Sequence, residues 1–426
     1  MILKIKHTEK LQGTVTAPPS KSYTHRAIII ASLADGKSVI SNPLISADTL
    51  ASINACKAIG AEIEVKNDKI IVDGVRGNPT LPEKIIDVEN SGTTLRIMAA
   101  VASLCNGKVT LTGDESVQER PMQPLLKALE DLGVKTSSMN GKPPATVEGP
   151  SKGGLCKIRG DISSQFISGL LISAPCMSED TTIFITTELR SKPYIDLTLD
   201  VMEEFGVKVK LDGNKFQVRG NQGYRAIDYG IEGDYSSAAF ILAAASLLDS
   251  KVTVKNLVIE SKQGDRKIID ILREMGVDLK VDRDEIKISG NGGLNGIELD
   301  MSNTPDLVPI VAVLGSVAKG KTLIKNVEHL RYKESDRLKA ISTELRKMGA
   351  RIRERRDGLE IEGTNLLKGA KLHGWNDHRI VMALAVAGLI AKGETTIDNA
   401  EAIDISFPDF VDTMKRLGSH INVHNL

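Results

Sequence analysis

The stretch Leu125-Leu126-Lys127-Ala128-Leu129-Glu130-Asp131-Leu132-Gly133-Val134-Lys135-Thr136 decides the fold. It reads as an amphipathic helix stopped by a left-handed Gly cap and followed at once by an extended segment. The same junction recurs at Ile59-Gly60-Ala61, Phe205-Gly206-Val207, Met275-Gly276-Val277, Met348-Gly349-Ala350 and Leu417-Gly418-Ser419. Subtracting successive glycine numbers gives 73, 73, 70, 73 and 69 residues. The chain is a sixfold repeat.

A second landmark keeps the same period. Short polar clusters open six apolar helices: Ser20-Lys21-Ser22, Ser91-Gly92-Thr93, Ser163-Ser164-Gln165, Ser236-Ser237, Thr304-Pro305-Asp306 and Asp377-His378-Arg379. From Ser20 through Ser91, Ser163, Ser236 and Asp306 to Asp377 the steps are 71, 72, 73, 70 and 71. The runs behind them, such as Ile380–Ala391, are apolar all round and predict buried core helices. Each repeat thus reads strand, core helix, strand, amphipathic helix, strand, strand. The expected fold class is α/β (α+β): two similar domains, each of three βαβαββ units around buried core helices, with a cleft between them. Strand Met1–Lys6 is expected to pair with the C-terminal half. The domains are then 15–227 and 228–426, the second completed by 1–14.

At 426 residues the chain exceeds one compact core and suits two domains. Its 55 Lys+Arg balance 55 Asp+Glu, against the basic excess of nucleic-acid or membrane-surface proteins. Aromatics at 3% leave little for base stacking. Cys56, Cys105, Cys156 and Cys176 form no CxxC pair, so no zinc ribbon is expected and a reducing cytoplasm is. Ala31-x4-Gly36-Lys37-Ser38 lacks the first Walker glycine and follows a helix, so it reads as a turn.

A helix N-terminus offers unpaired N–H groups and partial positive charge, and so receives anions. Ordinary N-capping by Ser, Thr or Asp is the alternative at each single site. Lys21, Arg26, Arg96, His378 and Arg379 lie in first or second turns, where cations oppose the dipole and a bound anion relieves the conflict. In Gln118-Glu119-Arg120-Pro121 an arginine before proline suits bidentate anion recognition. Lys333-Glu334-Ser335-Asp336-Arg337 is either part of such a site or a solvated helix face. The residues alone point to a two-domain enzyme or binder for small anions, with catalysis requiring closure.

Several motifs carry a resemblance. They are Pro18-Pro19-Ser20-Lys21-Ser22-x-x-x-Arg26, Asn90-Ser91-Gly92-Thr93-Thr94-Leu95-Arg96, Glu119-Arg120-Pro121, Asp161-Ile162-Ser163-Ser164-Gln165, Ser191-Lys192-Pro193-Tyr194, Lys333–Arg337 and Asn376-Asp377-His378-Arg379. Together they resemble the EPSP synthase family of enolpyruvyl transferases nearly end to end. The resemblance implies transfer of the enolpyruvyl group of phosphoenolpyruvate to the 5-hydroxyl of shikimate 3-phosphate. It further implies addition and elimination through a tetrahedral ketal, with no metal or cofactor, in a cytoplasmic monomer without nucleic-acid or membrane partners.

Carried over, Arg26, Ser163, Ser164 and Ser191 hold the shikimate phosphate, and Ser22, Gln165, Tyr194, Asp306 and Lys333 surround its ring. Lys21, Gly92, Arg120, Gln165, Arg337 and Arg379 bind phosphoenolpyruvate, and Lys21 also meets shikimate phosphate. Asp306, Glu334 and Lys21 are the catalytic set, with His378 an assistant. The chain departs from the family at Ile405, where many members carry a Lys, and at His329 or Leu330, where some carry an Asn. Two rivals are a transferase for a UDP-amino sugar and a non-catalytic anion scaffold. The loop 113–120 lacks the Cys that most of the former carry.

Overall fold

All six predicted cap glycines adopt positive φ, between +87° at Gly133 and +105° at Gly60, where an L side chain is disfavoured. The computed structural model describes residues 1–364 and 366–424; the C-terminal residues 425 and 426 of the expected second domain lie outside it. Two units result, Pro19–Ile231 and a unit of Met1–Pro18 with Glu232–Leu426.

Each unit holds three four-stranded sheets of one design: a parallel pair, extended by an antiparallel hairpin. In Pro19–Ile231 the second sheet is Ile86–Asp87, Lys108–Thr112, Lys142–Glu148 and Lys135–Met139, in that spatial order. The first and third repeat the order, and the other unit does so three times more. The last sheet borrows a strand: Ile2–Ile5 lies between Thr395–Ile397 and Ile421–His424, antiparallel to both.

The domain boundaries expected at 14/15 and 227/228 move. Lys10–Thr16 pairs parallel with Asp249–Lys255, so residues 15 and 16 belong with the C-terminal repeats. Asp228–Gly230 pairs parallel with Val39–Ser41, so it belongs with the first repeat. The cuts fall after Pro18 and Ile231, and each of these strands then pairs within its own unit.

The core helices are buried as their composition demands. Every residue of Tyr235–Leu247 is buried, and so is all of His378–Ile390 except Ile390. Helices Tyr235–Leu247, Val308–Val317 and His378–Ile390 pack on one another. In the other unit Gly92–Ala102 packs against Ser164–Ser173. That approach needs Gly169, because a Cβ there would sit 3.0 Å from Arg96 O and 3.2 Å from Ile97 Cα.

Candidate active site

Serine caps three core helices of Pro19–Ile231. Ser20, Ser91 and Ser163 accept from the backbone N–H groups of Tyr23, Thr94 and Gln165. None of these three caps itself brings a charge to the positive end of its helix.

The start of Gly92–Ala102 is the most informative. Arg120, 6% exposed, is so close that a Cβ on Gly92 would lie 2.0 Å from its Nη1. One amino group of Arg120 donates to Ser116 Oγ at 3.0 Å, and its Nε is buried without a hydrogen-bond partner. A guanidinium held against a helix N-terminus places like charges together, and an anion shared between them removes the conflict. Nearby Arg96 lies 5.2 Å over the Phe166 ring and donates to Gln165 Oε1 at 2.8 Å and Ser163 Oγ at 3.3 Å. Gln165 donates in turn to Thr93 Oγ1 at 2.8 Å. These bonds join the two helix starts.

Lys21 opens the first core helix and pairs with Asp48 at 2.9 Å. Burial opposes charge on Asp48, but Lys21, His25 and Ser91 together hold its carboxyl well below the usual carboxylate range. Burial lowers the pKa of His25, which hydrogen-bonds Ser52 at 2.7 Å.

Ser22 and Tyr194 meet through Arg26, which donates to both backbone carbonyls, at 2.9 and 2.8 Å. Arg26 donates also to Thr198 Oγ1 at 2.8 Å and Ser168 Oγ at 3.4 Å, and is 1% exposed. Burial pushes its pKa down to about 10, so it stays charged at neutral pH. Four of its five N–H donors meet protein acceptors, so Arg26 braces the segments carrying Ser22 and Tyr194. Ser191 sits at φ +55°, unusual for a residue with a side chain, and its hydroxyl does not cap the helix behind it. Ser164 is the first residue of its helix and is 6% exposed.

The other unit gathers acids around a buried cation. Arg337, 1% exposed, donates from Nη1 to Asp306 Oδ1 and from Nη2 to Glu334 Oε2, both at 2.7 Å. Its Nε reaches Asp377 Oδ2 at 2.8 Å. Burial opposes its charge, yet Asp377, Glu334 and Asp306 raise its pKa well above the ordinary value. Four of its five N–H donors thus meet carboxylates of the protein, so Arg337 braces Asp306, Glu334 and Asp377.

Asp377 is fully buried and caps its helix, accepting from Arg379 N at 2.9 Å. Asp306 and Glu334, with side chains 17% and 18% exposed, keep a face open. Asp306 does not cap: it lies in a 3-10 turn, Pro305–Leu307, ahead of Val308–Val317. Arg379 lies 3.5 Å from Asp306 Oδ2 and over Phe240. Lys333 is extended and half-buried at the end of the turn Glu328–Tyr332, His378 is buried, and Ile405 is 8% exposed. In the fourth repeat the cap is Asp234, not the landmark Ser236, whose N–H it accepts at 3.1 Å. Sequence reasoning missed Asp48, Thr198 and Asp377 as partners; Asp377 alone stood in a quoted motif.

Serine-capped helix starts beside arginines in one unit suit small anions, and two partly exposed carboxylates sharing one guanidinium in the other suit proton transfer. Residues 5–414 match the family described as EPSP synthase (3-phosphoshikimate 1-carboxyvinyltransferase). The 3-phosphoshikimate 1-carboxyvinyltransferase of Methanocaldococcus jannaschii is 53% identical, with 99% of each chain covered. That of Methanococcoides burtonii is 52% identical over 96% of this chain and 97% of its own. The solved EPSP synthase of Acinetobacter baumannii matches at a TM-score of 0.84 over 100% of both chains, at 28% identity. The chain belongs to the EPSP synthase family. It is an enzyme, and it transfers the enolpyruvyl group of phosphoenolpyruvate to shikimate 3-phosphate.

Proposed function

We propose that the two clusters divide this reaction between binding and proton transfer. Arg120 and the helix start at Gly92 take one anionic group of phosphoenolpyruvate, and Arg379 and Lys21 take the rest. Ser163, Ser164 and Ser191 receive the shikimate phosphate, while Ser22, Gln165, Tyr194 and Lys333 contact its ring. Asp306 accepts the proton of the attacking 5-hydroxyl. Glu334 and Lys21 move the proton gained and then lost at the vinyl carbon. Attack forms a C–O bond at C2 of phosphoenolpyruvate as the methylene carbon gains a proton. Elimination returns that proton to the protein and breaks the C–O bond to the departing phosphate.

The observation that carries this reading is Asp306 and Glu334 on adjacent nitrogens of Arg337. A fixed cation keeps one carboxylate ionised as a base while the neighbouring one exchanges protons. The test is phosphate release from phosphoenolpyruvate. It should require shikimate 3-phosphate and fail with UDP-N-acetylglucosamine; release with the amino sugar, or with neither acceptor, rejects the assignment. We further place the enzyme in the cytoplasm, a setting suited to its four free thiols, and take it to act as a monomer, which light scattering tests.

A further inference from the structure

A carboxyl group outside the assigned machinery lies close to it. Asp265 sits in the turn Gly264–Lys267, which wraps the start of helix Tyr235–Leu247. Gln263 holds the turn in place, accepting from Tyr235 N at 3.0 Å and donating to Gly233 O at 2.7 Å. Asp265 is 2% exposed. Its Oδ2 lies 2.5 Å from Ser236 Oγ, and its Oδ1 is buried with no hydrogen-bond partner.

A bare, buried, charged oxygen is far costlier than a bare carbonyl oxygen. Protonation at Oδ2, toward Ser236, converts the first into the second. The surroundings act the same way: burial above all, then the charges of Asp306 and Asp234, push the carboxyl up, while Ser236 and Arg379 pull it down. The balance puts it at about 7.

The charge of Arg379 acts on this carboxyl, and Arg379 already has Asp306 Oδ2 at 3.5 Å. We propose that Asp265 is a positioning residue gated by its proton: neutral, it leaves the Arg379 charge directed at phosphoenolpyruvate, and ionised, it competes with that substrate for the guanidinium. The proposal rests on the assignment of Arg379 to phosphoenolpyruvate made above. Asp265 touches no reacting atom, so its state acts on binding and not on the chemical step.

The test is a pH series of steady-state kinetics on the parent and on Asp265→Asn, which is neutral throughout. A group that must be protonated for binding, titrating near 7, raises the parent's KM for phosphoenolpyruvate about tenfold more than the variant's between pH 6 and pH 8. Substrate ionisation is common to both proteins and cancels in the comparison. The KM for shikimate 3-phosphate should not differ between them, and kcat of the variant should stay within about twofold. Ser236→Ala is the second variant. It removes a hydrogen bond that favours the ionised carboxyl, so its KM rise should move to higher pH.

Parallel KM profiles in parent and Asp265→Asn, or an equal change for both substrates, overturn the proposal. If Asp265→Asn does not fold, an unmoved profile in Ser236→Ala overturns it equally. A parent that releases no phosphate with both substrates rejects the transferase assignment, and the Asp265 role with it. An active parent with unaltered variants rejects Asp265 alone.

Discussion

Replacing Arg337 by Ala separates two roles for a residue that the family resemblance assigns to substrate. The guanidinium is 1% exposed and holds Asp306, Glu334 and Asp377 at 2.7, 2.7 and 2.8 Å. Its removal leaves three carboxylates facing one another, of which Asp377 is fully buried. Breaking a buried ion pair from one side costs about 3–5 kcal/mol, mostly from the charge left unpaired. For a unit of this size, about 2–4 °C per kcal/mol gives a fall of about 6–20 °C in the thermal midpoint. The pH dependence has a definite sign. Crowded carboxylates in the variant have raised folded-state pKa values, so they cost nothing where they are protonated and destabilise as pH rises through those values. The stability gap between variant and parent should therefore narrow from pH 7 to pH 5. Differential scanning calorimetry at both pH values reads it directly. A midpoint equal to the parent's, with KM for phosphoenolpyruvate raised tenfold or more, would refute the bracing role and restore Arg337 as a substrate ligand.

Arg120→Ala should weaken phosphoenolpyruvate binding by about 1.5–3 kcal/mol and shikimate 3-phosphate binding far less, which ligand titration resolves. Asp306→Asn should lower turnover about a hundredfold to ten-thousandfold with the fold retained, because Arg337 keeps Glu334 and Asp377. Turnover within about threefold of the parent removes Asp306 as the base. Asp48→Asn should cost about 1.5–3 kcal/mol at neutral pH. The Asp48 carboxyl is depressed in the folded state, so that loss should be constant above the unfolded value of about 4 and shrink as acid protonates the parent. Burial pushes Cys105 to about 11 and Cys56, Cys156 and Cys176 to about 12. A chromogenic disulfide at pH 8 should therefore label native protein far more slowly than unfolded protein, and one fast thiol would revive a cysteine-dependent mechanism.

The six glycine junctions were readable because a helix stop followed at once by a strand leaves a local signature. The serine caps at Ser20, Ser91 and Ser163 were readable for the same reason. The period misled by two residues at Ser236, since Gly233-Asp234-Tyr235-Ser236-Ser237 offers two good caps and only geometry selects Asp234. Pro305 was the missed warning at Asp306: it opens a 3-10 turn that carries the carboxylate ahead of the α-helix. The braces were hidden for another reason. Arg337 reaches Asp306 and Asp377 across 31 and 40 residues, and Arg26 reaches Thr198 across 172, separations at which sequence spacing carries no contact information. The strands at the unit boundaries were half visible, because Met1–Lys6 looked like a closing strand while Lys10–Thr16 and Asp228–Gly230 gave no sign of their sheets.

The same repeat serves opposite ends in the two units through the choice of cap. Ser20, Ser91 and Ser163 satisfy backbone donors of the helix starts in Pro19–Ile231 without themselves adding charge. Asp234 and Asp377 carry a negative charge to the equivalent positions of the other unit. Asp377 also pairs with Arg337, the guanidinium that holds Asp306 and Glu334. A chain of zero net charge can in this way vary the charge at its helix starts from one unit to the other. Uniform serine caps would leave Arg337 with fewer counter-charges in a buried position, and uniform aspartate caps would repel the substrates. Replacing Ser by Asp between repeats changes the charge at the helix starts without altering the fold that carries them.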